Sequence, residues 1–367
     1  MPQRDDPIRV GVVSQYFRKH SVWDAILKGW FQALDRSRFS LHAFYTGGAE
    51  DDETRYARAH AASFSAGPPE LHRWVETILA RGLDVLIYPE VGMDPLTLQL
   101  ASLRLARVQV ASWGHPETTG LPTIDYYLSA QCLEPAEAQD HYTERLVTLP
   151  GIGCYYVRPQ VVARVPDFHA LGIPADAALY VCPGVPFKYT PAYDAILTAI
   201  AQRVGACCFI FFSHTLQHLT EQLQNRIART FEAAGLPFAE HVTFIPWQDS
   251  AGFHGILESA HVFLDTIGFS GFNTAMQAVQ CDIPIVTREG AFMRGRLASG
   301  ILKRMGLTEL VTDTNDAYVD LAVRLGTDVD YRNDVRRRIV ESRDVLFEDA
   351  EPIRALEDFL ARAVAEG

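Results

Sequence analysis

Five segments of this sequence hold side chains suited to binding or moving a charged group. Arg18-Lys19-His20-Ser21 sets an imidazole beside two cations. Gly114-His115-Pro116-Glu117-Thr118-Thr119-Gly120 is rich in hydroxyls and flexible backbone, although Pro116 and Gly120 would also suffice for a plain turn. Lys188, in Pro186-Phe187-Lys188-Tyr189, is either a point charge able to neutralise a phosphate or an ordinary solvent-facing lysine. Trp247, Phe253 and His254 offer aromatic faces to a nucleobase, and Phe253 suits a core equally well. The most suggestive run is Asp265-Thr266-Ile267-Gly268-Phe269-Ser270-Gly271-Phe272-Asn273-Thr274. Small and hydroxyl residues opening a helix turn backbone N–H groups and the positive end of the dipole toward an anion, the outline of a diphosphate site. The alternative is simple N-capping by Ser270 or Asn273.

These segments follow apolar runs. In open α/β sheets ligands bind beyond the carboxyl ends of the strands, so the pattern is the one a binding fold needs. Strands are expected at 8–17, 39–46, 83–89, 107–113 and 124–129, then at 178–182, 207–213, 241–246, 261–265, 283–287 and 309–312. Helical periodicity fills the gaps, as in Trp23–Leu34, Glu70–Ala80, Leu216–Ala234 and Ala291–Met305, and closes the chain over Tyr331–Leu346 and Glu351–Ala365. Alternating strand and helix patterns predict mainly parallel sheets. Periodicity lapses from Gly151 to about Ala177, which marks a linker, and the length of 367 residues suits two domains.

Several chemistries are excluded. Lys+Arg 33 against Asp+Glu 45 gives a net charge of −12, a poor match to a nucleic-acid backbone. The dinucleotide-binding Gly-x-Gly-x-x-Gly does not follow the first strand, where Gly11 stands alone. Asp328-Val329-Asp330 mimics a metal-binding Asp-x-Asp but lies in a helical region with no strand before it, so it reads as helix capping. No His/Cys spacing suits zinc, and no Gly-x-Ser-x-Gly elbow occurs. Six cysteines without a Cys-x-x-Cys pair, a polar N-terminus and no apolar stretch near ~18–20 residues lead to the expectation of a cytoplasmic protein with no membrane span.

Taken in order, Val13-Ser14 through His20, Val108–Trp113 with Gly114–Gly120 and Ile124-Asp125-Tyr126, Phe187-Lys188-Tyr189, Phe263-Leu264-Asp265-Thr266 through Asn273-Thr274, and Pro284-Ile285-Val286-Thr287 carry a likeness. They resemble the catalytic region of the O-GlcNAc transferase and SPINDLY-like glycosyltransferases. A secondary likeness is to bacterial cytoplasmic protein N-glucosyltransferases. The resemblance implies a glycosyltransferase B fold, an α/β architecture of two Rossmann-like doubly wound domains facing across a cleft. Residues 1–160 would form the acceptor-side domain, 161–345 the nucleotide-sugar donor domain and 346–367 a C-terminal helix.

It also implies roles. Lys188 would contact the donor diphosphate and serve catalysis, Gly271, Asn273 and Thr274 would cradle the same phosphates, and His20 would face the donor sugar and acceptor. Pro116, Thr118 and Thr119 would lie in the loop near the sugar. Gln277 replaces the family's ribose-binding aspartate, Phe253 with His254 beside it replaces a base-binding histidine, Phe272 stands for a histidine at the phosphate helix, and Asp84 for a second histidine. The expected function is an inverting, metal-independent transfer of a sugar, in the first place GlcNAc from UDP-GlcNAc, to Ser/Thr of a protein. The UDP-sugar acts as co-substrate and no metal or other cofactor takes part. The alternatives are a catalytically silent sugar-nucleotide-binding or scaffold module, and a transferase acting on a non-protein acceptor.

Overall fold

Runs of Val, Ile and Leu covered on both faces make parallel strands, and the computed structural model, which describes residues 6–366, arranges them in two sheets. The first holds β1 (Ile8–Ser14), β2 (Phe39–Tyr45), β3 (Ser63–Ala66), β4 (Val85–Tyr88), β5 (Val108–Ser112), β6 (Tyr126–Ala130) and β7 (Arg145–Leu149) in the order β3-β2-β1-β4-β5-β6-β7. The second holds β8 (Ala178–Cys182), β9 (Cys207–Phe212), β10 (Val242–Ile245), β11 (Val262–Leu264), β12 (Ile285–Arg288) and β13 (Val311–Thr312) in the order β10-β9-β8-β11-β12-β13. The pairings within both sheets are parallel.

Central strands are buried throughout. Every residue of β4, β5 and β11 is enclosed, and each fully buried Leu, Ile or Phe side chain contributes roughly 1.5–3 kcal/mol. β3 and β7 were not expected. They flank the sheet, most of their residues are only partly covered, and a half-wet edge strand lacks the continuous apolar run that marks a central one.

The chain divides into two compact units. One runs to Arg158 and resumes at Leu346; the other spans Pro159–Val345. The expected linker does not start at Gly151, because Ile152, Cys154 and Tyr156 are buried in the first unit. The closing helix Glu351–Glu366 also packs there: its Glu357 accepts the Asp35 N–H at 2.8 Å, and Phe359 meets Tyr126 edge-on at 5.1 Å.

Other boundaries move for local reasons. Trp23–Leu34 opens with a π-helical turn over Trp23–Leu27 and continues as α-helix only over Lys28–Ala33. Ala291–Met305 is interrupted: a 3-10 turn at Met293–Gly295 lets Gly290 donate to the Gly295 carbonyl, and the α-helix runs from Leu297 to Arg304. The strand expected at 309–312 is reduced to Val311–Thr312 behind a 3-10 turn, and the helix expected from Tyr331 begins at Val329 and ends at Ser342.

Both sheets reverse their winding once. In the first the switch falls between β1 and β4, in the second between β8 and β11. At such a point adjacent strands send their connections to opposite faces and leave a crevice beyond their carboxyl ends. Four segments emerge there: those after β1 and β4 in the first unit, and those after β8 and β11 in the second.

Candidate functional site

The second unit concentrates charge at its switch point. Lys188 ends the 3-10 turn Pro186–Lys188 beyond β8, where Pro186 presets the backbone. Its ammonium lies 3.4 Å from the Ser270 carbonyl oxygen and 4.1 Å from the centre of the Phe269 ring. Asp265, directly after β11, is 2% exposed. One carboxylate oxygen accepts the Ser270 hydroxyl at 2.6 Å and the Thr287 hydroxyl at 2.7 Å, and the other accepts the Gly271 N–H at 3.0 Å. Burial raises its pKa, with those bonds and Lys188 opposing; burial lowers that of Lys188, with the Asp265 charge opposing. The Ser270 hydroxyl also accepts the Ala298 N–H at 2.8 Å, so one serine ties the loop to the next helix.

This loop delivers the helix Asn273–Gln280, whose N-cap residue Phe272 makes no side-chain cap. Neither expected cap operates: the Ser270 hydroxyl is spent on Asp265, and Asn273 is already inside the helix. A Cβ at Gly271 would run into the Thr274 hydroxyl, which would have to turn aside. Asn273, Thr274 and Gln277 are half-buried on the first turns, whereas Phe272 is buried.

The aromatic candidates separate. Phe253 is half-buried and meets Phe212, at the carboxyl end of β9, edge-on at 5.3 Å. His254, one position on, turns into the unit at 2% exposure and donates from Nδ1 to the Ser250 carbonyl at 2.8 Å. Trp247, just beyond β10, is 71% exposed. Of the expected donor-site residues, His254 alone is closed off by the core of its own unit.

In the first unit His20 lies in the segment after β1. Its ring stacks on Tyr16 with centroids 3.7 Å apart and an interplanar angle of 12°. Nδ1 accepts the Val22 N–H at 3.2 Å, so the neutral ring carries its proton on Nε2. Burial, with Arg18 adding, pushes its pKa down to about 4, which keeps it neutral at pH 7. The segment is pinned from the side by the Lys19 N–H, donated to Asp51 at 2.7 Å.

The hydroxyls of the 114–120 loop are already engaged. Thr118 donates to Glu144 at 2.7 Å; the Thr119 N–H does so at 2.8 Å and its hydroxyl bonds the same carboxylate. Glu144 is 2% exposed. Burial would raise its pKa, but the Thr119 and Thr118 bonds prevail and hold it below the ordinary value. Pro116 is buried. Asp84 precedes β4, at the opposite end of that strand from Glu90, and accepts the Arg9 N–H at 2.9 Å. Its identity therefore does not bear on the carboxyl edge.

Sequence reasoning assigned no role to Asp265, Phe269, Glu90 or Glu144. Glu90 and Asp265 were findable, since each lies at the carboxyl end of an apolar run. Among the described residues no group of three His, Cys, Asp or Glu is placed to hold a metal, and no helix is long and apolar enough to cross a membrane. Asp328 accepts the Tyr331 N–H at 3.0 Å and caps its helix.

Two parallel, doubly wound units with loaded switch points define a glycosyltransferase B fold. A solved O-GlcNAc transferase variant from Thermobaculum terrenum superposes with a TM-score of 0.85 at 24% identity, over 99% of this chain and 68% of that one. Residues 169–350 match the family model described as Glycosyl transferase family 41. The probable UDP-N-acetylglucosamine–peptide N-acetylglucosaminyltransferase SPINDLY of Petunia hybrida is 27% identical over 252 residues, which is 66% of this chain and 26% of that protein. The UDP-glucose:protein N-beta-glucosyltransferase of Actinobacillus pleuropneumoniae serotype 5b is 24% identical over 265 residues, 72% of this chain and 41% of that protein. The chain is thus similar to the O-GlcNAc transferase and SPINDLY-like glycosyltransferases, and it spans less than half the length of these two curated relatives.

Proposed function

We propose that this chain carries an inverting, metal-independent glycosyltransferase activity that moves a sugar, first of all GlcNAc from UDP-GlcNAc, to Ser/Thr of a protein. The observation that carries the reading is the cradle at the second switch point. The half-buried Lys188 reaches the loop braced by Asp265, and that same loop leads into a helix start without a side-chain cap at Phe272. When the bond from sugar to diphosphate breaks, negative charge accumulates on the leaving oxygens. A preorganised cation and oriented N–H groups stabilise that charge more than they stabilise the bound donor, which lowers the barrier. Gly271, Asn273 and Thr274 supply the helix start, Gln277 lies one turn on, and Phe253 and Trp247 present aromatic surface to the base.

His20 has a narrower role than a general base. Its Nδ1 is occupied by the Val22 N–H, so the ring offers Nε2–H as a donor. A donor orients the acceptor hydroxyl or a sugar oxygen, while proton abstraction would require the other tautomer. The names of the relatives, which specify UDP-sugars and peptide or protein acceptors, support the same donor and acceptor classes.

The test is a panel of nucleotide sugars. A true donor at a hundred times its Kd should add about 2.7 kcal/mol to stability, and on addition of Ser/Thr-rich peptides it should yield free UDP and a heavier peptide. Binding without release of nucleoside diphosphate would indicate a silent binding module. Absence of binding to any nucleotide sugar would refute the reading.

A further inference from the structure

Glu90 is the first acidic residue beyond β4, across the first unit's switch point from the segment that bears His20. It is 0% exposed, a rare place for a carboxyl. One of its oxygens accepts the Gln15 N–H at 3.0 Å, and the Ser14 hydroxyl is near enough to favour the ionised form. The other is buried with no hydrogen-bond partner. The Ser14 hydroxyl in turn accepts the Tyr16 N–H at 2.9 Å, and the Tyr16 ring is the face on which His20 stacks.

A continuous path thus runs from the Glu90 carboxyl through the Gln15 N–H to the adjoining Tyr16, whose own N–H is held by Ser14, and on to the imidazole. Every link lies within one unit and within hydrogen-bond or ring-contact distance. No purely structural demand explains an acid at this point, because a hydroxyl or amide would satisfy the same N–H without the cost of burying a carboxyl. Burial, reinforced by nearby Asp94, raises its pKa to about 8, so at neutral pH the group keeps its proton. A neutral carboxylic acid accepts from Gln15 as a carboxylate would, and so holds the turn without placing a charge beside His20.

We propose that Glu90 is a positioning residue for His20: it braces the turn Ser14–Tyr16 and thereby sets the plane in which the imidazole meets its ligand. This rests on the transferase reading for its effect on turnover, but not for its effect on the imidazole itself.

The experiment uses the full chain with 15N-labelled histidine, the His20 signals being assigned by their loss in His20→Gln. The wild-type ring should show a protonated Nε2 and an unprotonated Nδ1. Glu90→Leu removes the acceptor for Gln15 and should shift or split both ring nitrogens. It should also lower turnover on the order of a hundredfold, the scale of an ångström-level misplacement, with donor affinity unchanged. Glu90→Gln keeps the acceptor and should restore both the ring signals and most of the turnover. If Glu90→Leu does not fold, Ser14→Ala removes the acceptor of the Tyr16 N–H in the same turn and is read in the same way. Ring nitrogens and turnover identical to wild type in the folded variant would overturn the proposal. A wild-type chain that transfers no sugar would refute the transferase reading, and the nitrogen signals would still decide the role of Glu90.

Discussion

The Lys188 ammonium rests 4.1 Å above the centre of the Phe269 ring, on the same loop whose Ser270 carbonyl it approaches at 3.4 Å. An aromatic face and a carbonyl dipole hold the cation without neutralising it, as a full ion pair would. The buried Asp265 contributes its field from behind while its oxygens serve Ser270, Gly271 and Thr287. The lysine is thereby kept in place and left with charge to offer.

Lys188→Ala should leave the fold intact and abolish transfer, because its contacts are a ring and one carbonyl, neither of which is a buried charge left unpaired. Donor affinity measured calorimetrically should fall by about tenfold or more, the scale of one lost charge-assisted contact. Activity within a few-fold of wild type would remove Lys188 from the site.

Asp265→Asn retains the shape but replaces one acceptor oxygen with an NH2 group, which confronts donors in place of receiving them. Loss of one partner in a buried network costs about 3–5 kcal/mol, so the urea midpoint should drop sharply. Thr287→Val, which removes a single donor to the same carboxylate, should cost only about 1–3 kcal/mol. Equal effects of the two would contradict Asp265 as the hub.

Thr274→Glu places a carboxylate at the helix start that would receive phosphates, and should weaken nucleotide binding itself. His20→Ala should spare nucleotide affinity and lower turnover. The reverse assignment of effects, read by calorimetry and steady-state kinetics, would exchange the proposed roles.

Two titrating groups of the first unit, His20 and Glu90, predict opposite pH slopes. His20 is held near 4 against 6.5 in an unfolded chain, so between those values the unfolded state binds the extra proton and stability falls as pH drops. Glu90 is raised from 4.5 to about 8, so its contribution is complete below 4.5 and is lost as pH rises toward 8. Urea midpoints should therefore show Glu90→Gln gaining on wild type from pH 5 to about 8, and His20→Phe gaining as pH falls from about 6.5 to 4. Parallel curves for either variant would contradict the corresponding burial.

Transfer should persist in excess EDTA. Asp328 is engaged in capping and Asp330 sits in the same first helical turn, so neither is placed as a diphosphate-bridging metal ligand. A strict Mn2+ or Mg2+ requirement would contradict this.

What was legible in the sequence was local. The central strands announced themselves as apolar runs, and the residues just after them included Lys188, His20 and the Asp265–Thr274 segment. What was hidden depended on partners far along the chain. Thr118 and Thr119 read as free hydroxyls until Glu144, some 25 positions on, claims them. Ser270 read as a helix cap because nothing local reveals that Asp265 is buried and takes its hydroxyl. The exchange between Phe253 and His254 was a matter of helical phase: adjacent positions differ by about 100° around the axis, so if one faces the strand end the next faces the core.

The path of the backbone between the two units has a practical corollary. The outgoing chain at Tyr156 and the returning chain at Phe347 form a parallel bridge, the Glu348 N–H reaches the Tyr156 carbonyl at 3.0 Å, and Arg158 covers the Phe347 ring. Pro159–Val345 is therefore an insert whose two ends are already clasped by its host. Loop-closure entropy depends only weakly on the length of what is enclosed, so replacing the whole insert by a short glycine-rich bridge leaves the host its complete sheet and its returning helix. A conventional deletion from the C-terminus instead strips Ile353, Leu356, Phe359 and Leu360 from the core around the first sheet. Shortening the chain from its end thus damages the half that bears His20 before it reaches the half that bears Lys188.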